Sequence, residues 1–173
     1  RAYELKLDNL KVPFENRIGE KGEGLKLALR VLNNTRISLS FGHIGLARAA
    51  HEVAVKFARE RVIAGTPISK HQGIAFPLAE IAAEIDAARL MAFRAAVLSE
   101  REVDHRKETS MAKLLAGRVM LRAVEQANLV LGGFGADQEW PVERYLRDAF
   151  AWIAAQGTPE IHRVIVAREI FAK

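Results

Sequence analysis

Apolar and polar positions follow two different rhythms along this chain. Over residues 3–12, Leu5, Leu7 and Leu10 alternate imperfectly with Glu4, Lys6, Asp8 and Lys11 before the chain meets Pro13. That alternation predicts one or two short strands closed by a turn. From Glu23 the rhythm lengthens to that of a helix: Leu25, Leu29, Leu32, Ile37, Phe41, Ile44, Ala47, Ala50, Ala54 and Phe57, with Lys26, Arg30, Arg48, Glu52 and Lys56 between them. One long helix is predicted up to about Ile63, loosened near Asn33-Asn34-Thr35 and at Gly42 and Gly45. Gly65-Thr66-Pro67 supplies its stop.

A second helix is predicted from Ser69, as N-cap, to about Arg101, with Leu78, Ile81, Ile85, Ala88 and Ala92 as its buried stripe. A charged connector over 100–108 leads to a third helix over 109–131, and two shorter ones follow over 141–155 and 159–171, each opened by a proline. Short connectors make neighbouring helices antiparallel. The expected fold is therefore all-α: an antiparallel up-and-down four-helix bundle with a short extra C-terminal helix and an N-terminal strand stub.

Composition sharpens this reading. Half of the 173 residues are hydrophobic and only 5 are proline, as a helical domain with its own core requires. With no cysteine, disulfides, a thiol nucleophile and a thiolate metal site are excluded. The apolar runs are shorter than a bilayer crossing, and Arg1-Ala2-Tyr3-Glu4-Leu5 lacks the order of a secretory signal, so no membrane partner is expected. Lys and Arg exceed Asp and Glu by 26 to 21, a scattered excess that describes a solvated surface rather than a nucleic-acid footprint. The five histidines form no metal-ligand spacing, and no metal site is expected.

Candidate chemistry gathers at helix ends. Arg61 stands at the end of the first long helix, where a guanidinium complements the dipole and can reach a phosphate. Gly132-Gly133-Phe134-Gly135 follows the third helix; such glycines serve as a C-cap or let a backbone approach a pyrophosphate. Thr158-Pro159-Glu160 reads as a helix start, with Thr158 as N-cap. Arg36 lies among apolar neighbours, a setting in which an arginine needs a partner.

In order and spacing, Gly132-Gly133-Phe134-Gly135, Trp140-Pro141-Val142-Glu143-Arg144 and Gln156-Gly157-Thr158-Pro159-Glu160-Ile161-His162-Arg163 resemble the C-terminal part of the acyl-CoA dehydrogenase family. Val12-Pro13-Phe14-Glu15-Asn16 is similar to the turn that ends the family's middle β-domain. The resemblance places residues 1–20 at the end of that β-domain and 21–173 in the C-terminal helical bundle domain, so the chain is expected to begin inside a larger protein. It implies FAD-dependent α,β-dehydrogenation of an acyl-CoA thioester in a homo-oligomer, typically a tetramer, with electrons passing to an electron-transfer flavoprotein. A cytoplasmic location is expected, or the mitochondrial matrix in a eukaryote.

By the same resemblance Arg36 lies near the substrate thioester, while Arg61, Gln72, Gly132, Gly133, Thr158 and Glu160 hold the flavin, several of them from a neighbouring subunit. Gln156 occupies the place where most of the family has its catalytic Glu. A glutamine does not titrate in the working range and cannot take up the α-proton. Thr35 stands at the alternative position for that base in some relatives. Ala64, Leu129 and Ala155 also depart from the pattern. The alternative is a non-catalytic or altered-function member that binds flavin or acyl-CoA and serves in assembly.

Overall fold

The computed structural model describes residues 3–172, and the chain falls into two compact units divided between Val31 and Leu32. In the first unit, residues 3–12 form no strand, and Tyr3, Leu5, Leu7, Leu10 and Val12 are exposed. The expected strand stub is corrected here. A strand exists only as part of a ladder, and no neighbour pairs with this stretch among the described residues. Beyond it, a 3-10 turn (Phe14–Asn16) leads on, with the Arg17 guanidinium 4.5 Å above the Phe14 ring and bonded to Glu20 at 2.8 Å.

The helices are α1 (Gly24–Glu60), α2 (Gln72–Glu100), α3 (Arg106–Leu131), α4 (Pro141–Ile153) and α5 (Pro159–Phe171). From Leu32 onward they build the core of the second unit. Its seam is rich in alanine: Ala47, Ala50 and Ala54 from α1, Ala88, Ala92 and Ala95 from α2, and Ala112, Ala116, Ala123 and Ala127 from α3 are all buried. Small side chains at these positions let the helix axes approach closely, and Ile44, Ile81, Ile85, Val119 and Met120 fill what remains. Across the surface of α2 and α3, Arg122 pairs with both Glu80 and Glu84.

Three local expectations are revised. Helix α1 is unbroken at Asn33-Asn34-Thr35, because the two asparagine side chains turn away from their own backbone towards His105, with Asn33 Nδ2 and Asn34 Oδ1 each 3.1 Å from a ring nitrogen, Nε2, that bonds only one of them at a time. It stops at Glu60 rather than near Ile63, since Val62–Ile63 (β1) and Thr66–Pro67 (β2) make a small antiparallel hairpin, with Ile63 opposite Thr66. Both loop residues, Ala64 at φ +52° and Gly65 at +77°, take the left-handed values that a two-residue hairpin loop demands. Ser69 does not cap α2: it lies in a 3-10 turn (Ile68–Lys70), and the helix starts at Gln72 after His71.

Candidate functional site

Helix α4 ends at Ile153, and the chain reverses through residues 154–158 into α5. Gln156 sits there at φ +57° and Gly157 at +119°. The left-handed region costs a residue with a Cβ about 1–2 kcal/mol, so the turn needs outside support. That support comes from long side chains of α1 and α3. Arg36 Nε donates to the Gln156 carbonyl at 2.8 Å. Lys113 Nζ donates to the carbonyls of Ile153 at 3.1 Å and Gly157 at 3.4 Å. His43 Nε2 lies 3.3 Å from the Trp152 carbonyl; because that oxygen only accepts, the ring carries its proton on Nε2.

Lys113 satisfies the carbonyl of Ile153 at the end of α4, the remaining bonds reach carbonyls of the turn or one already paired with Ala155 N, and Arg36 and Lys113 place positive charge at the negative end of the α4 dipole. Gly157 is required on two counts. Its φ is unsuited to other residues, and a Cβ there would lie 3.1 Å from His162 Nε2 and 3.3 Å from Arg36 Nη2.

The electrostatics of this corner are one-sided. Arg36 is 8% exposed, Lys113 1%, and His43 and His162 are fully buried. Neither Arg36 nor Lys113 forms an ion pair with a carboxylate of the described residues. Burial, and then the Arg36 charge, lowers the Lys113 ammonium to about 8. Burial and the Lys113 charge push His43 down to about 4, against a smaller pull from the Trp152 carbonyl. Burial, then Arg36 and Lys113, lowers His162 to about 4. Both imidazoles are therefore neutral at pH 7. Both ring nitrogens of His162, His43 Nδ1 and Gln156 Oε1 are buried without a hydrogen-bond partner. The corner can donate to and accept from a ligand, but Gln156 itself cannot abstract a proton.

The second place is a cleft of about 740 Å³ lined by Phe57, Arg61, His71, Gly132, Gly133 and Phe134 among others. Phe57, Phe134 and Trp140 pack together with ring centroids 5.5 to 6.1 Å apart, and the Arg61 guanidinium stands 5.9 Å from the Phe134 ring. Gly132, at φ +59° and ψ −129°, caps α3 in a conformation open only to glycine. Gly133 has no such positive φ, and a Cβ at either glycine would meet nothing within 4 Å. Nothing in the chain itself takes up that space.

The structure thus brings Arg61, Gly132 and Gly133 to one cleft and Arg36 and Gln156 to one corner. Gln72 is exposed at the first position of α2, beside His71 of the cleft wall. Thr158 and Glu160 are not in the cleft lining but at the start of α5. Thr158 precedes that helix without the expected side-chain cap bond; its hydroxyl reaches Glu160 instead. The backbone N–H of Glu160, then that hydroxyl and Arg163, hold the Glu160 carboxyl below its usual range.

With this geometry in view, the sequence profile described as "Acyl-CoA dehydrogenase, C-terminal domain" matches residues 22–171. The chain belongs to the acyl-CoA dehydrogenase family. It is 41% identical over 165 residues to an acyl-CoA dehydrogenase of Bacillus subtilis, covering 95% of this chain and 44% of that one. Against the mitochondrial short-chain specific acyl-CoA dehydrogenase of Rattus norvegicus it is 39% identical over 160 residues, covering 92% and 39%. The solved butyryl-CoA dehydrogenase of Megasphaera elsdenii superposes with a TM-score of 0.89 at 34% identity, covering 92% of this chain and 42% of that one. The chain spans about two fifths of the length of these curated relatives.

For an acyl-CoA dehydrogenase family chain the cleft has the right character for a flavin dinucleotide. Its aromatic walls suit a flat ring, Arg61 suits a pyrophosphate, and Gly133 leaves its backbone open to close approach. Three groups at the Gln156 corner, Lys113, His43 and His162, were not singled out from sequence. Lys113 occupies the buried stripe Thr109, Lys113, Ala116, Met120 at helical spacing, and a lysine inside such a stripe is the signal that would have found it. His162 carried no signal beyond its place beside Arg163.

Proposed function

We propose that the chain is the C-terminal part of an FAD-dependent acyl-CoA dehydrogenase, in which the Arg61 cleft receives the flavin and the Arg36–Gln156 corner faces the acyl thioester. The observation that carries this reading is the pairing of two sites in one family domain: a glycine-lined aromatic cleft with its arginine, and a half-buried turn fixed by Arg36 at the base position. Arg61, Gln72, Gly132 and Gly133 would hold the flavin, with Thr158 and Glu160 contributing from the start of α5. When bound, the flavin supplies the acceptor for the hydride leaving the β-carbon.

The chain's own residues determine what happens at the α-carbon. Arg36 and Lys113 fix the main chain of residues 153–157, and the Gln156 amide offers a donor and an acceptor without a charge. Proton removal by residue 156 is not available, so turnover requires a base other than residue 156. Acyl-CoA as substrate, an electron-transfer flavoprotein as electron acceptor and a homotetrameric assembly belong to this same reading.

A second reading is favoured by Gln156 itself: a family member that binds flavin or acyl-CoA and serves in assembly without turnover. One experiment separates the two. The full-length protein should purify yellow, and Arg61→Ala should lower its flavin content. Added acyl-CoA bleaches the flavin if a base is supplied from elsewhere and leaves it coloured under the second reading. A colourless full-length protein contradicts both.

A further inference from the structure

An apolar floor and two arginines meet beside the turn that carries Gln156. A cavity of about 470 Å³ opens there between α3 and α5. Its floor includes Met91 of α2, Met111, Leu114 and Leu115 of α3, and Ile153 and Pro159, all of them half-buried. The volume falls within the range of small-molecule sites, roughly 300–1,000 Å³. The cavity shares no lining residue with the Arg61 cleft, and neither Arg36 nor Gln156 lines it.

The charge around it has one sign. Arg118 and Arg163 are the only ionisable residues in the lining among the described residues, and both are exposed, so they stand at the mouth. Arg163 donates to Glu160 at 2.9 Å through Nη1. Arg118 has no hydrogen bond or ion pair among the described residues. A cationic mouth above an apolar floor fits an alkyl chain that ends in an anion. A neutral apolar molecule would leave Arg118 unanswered, and a small anion would leave the floor in water.

The cavity also touches both ends of the turn. Ile153 is the last residue of α4 and Pro159 the first of α5, with Gln156 midway between them. On the α3 side Ile153 is already in close contact, since a Cβ on Gly117 would stand 2.6 Å from its Cδ1, and its carbonyl is held by Lys113 at 3.1 Å. We infer that this cavity binds a free fatty carboxylate, with its chain against Leu115 and Ile153 and its head group at Arg118, and that an occupied cavity steadies the turn at residue 156. The site goes beyond the flavin and thioester reading above and is separate from it.

The test is calorimetric titration of the full-length protein at pH 7 with decanoate and, as its uncharged counterpart, decanol. Decanoate should bind about fivefold more tightly than decanol, the upper size of one exposed ion pair. Arg118→Gln, a surface change, should remove that difference, and Leu114→Trp, which fills the cavity, should weaken both ligands. With decanoate at ten times its Kd, amide hydrogen exchange over residues 154–158 should slow about tenfold, while the hairpin over 62–67 is unchanged. No binding of decanoate overturns the site, as does binding that both substitutions leave unchanged or that butyryl-CoA displaces in the Arg118→Gln protein. Binding without slower exchange over 154–158 overturns the action on the turn. Flavin content and bleaching do not enter these measurements, so such a failure leaves the acyl-CoA reading standing.

Discussion

Arg36 Nε holds the main-chain oxygen of Gln156 at 2.8 Å, so residue 156 is positioned by its backbone and not by its side chain. Arg36→Ala should therefore loosen the turn even though Gln156 is unchanged. The expected cost is about 2 kcal/mol, the usual size of a hydrogen bond to a charged group whose partner is left buried. Urea unfolding measures it. Arg36→Lys should restore only part, because an ammonium cannot keep the planar geometry of a guanidinium.

The two buried imidazoles predict acid sensitivity. In the folded chain His43 and His162 lie at about 4, against an ordinary value of 6.5. Between those values the unfolded chain binds more protons, so stability falls as pH drops from 6.5 towards 4, by on the order of 2–3 kcal/mol for each histidine. Unfolding midpoints measured across that window should fall about half as steeply in His162→Asn, the His43 share remaining. Lys113, at about 8 when folded against 10.5, gives the same sign at the alkaline end: its contribution rises from pH 8 to 10.5, and Lys113→Met should remove that rise.

The hairpin after α1 carries a correctable strain. Ala64 holds φ +52° in a loop that requires left-handed residues at both positions. Ala64→Gly should raise stability by about 0.5–1 kcal/mol, the left-handed penalty less the added freedom of glycine in the unfolded chain. Gly65→Ala, at φ +77°, should lower it. Thermal denaturation of the pair checks both directions.

Much of the fold was legible because helices declare themselves locally. The starts of α4 and α5 coincide with Pro141 and Pro159, and the buried stripe of α2 follows Leu78, Ile81, Ile85, Ala88 and Ala92 at helical spacing. The errors occurred where distant partners decide. The alternation over residues 3–12 requires a ladder neighbour to become a strand. Val62–Ile63 left the helical pattern because two adjacent residues adopt positive φ, which Ala64 does not announce.

The site was legible to a similar degree. Arg36, Arg61, Gly132 and Gly133 could be picked out from motif and position. The cationic character of the Gln156 corner could not, because Lys113 on α3 and His162 on α5 are joined to it only by packing. Gln72, Thr158 and Glu160 keep the places expected along the chain, but the cleft around Arg61 is lined by other residues.

The most direct measurement is the flavin absorbance of the full-length protein, as purified and as Gln156→Glu, after addition of acyl-CoA. If the turn fixed by Arg36 presents residue 156 to the α-carbon, the glutamate variant bleaches its flavin faster than the protein as purified. If the variant keeps its flavin and binds the thioester but bleaches no faster, residue 156 does not stand at the reacting carbon, and the assignment of this corner is wrong.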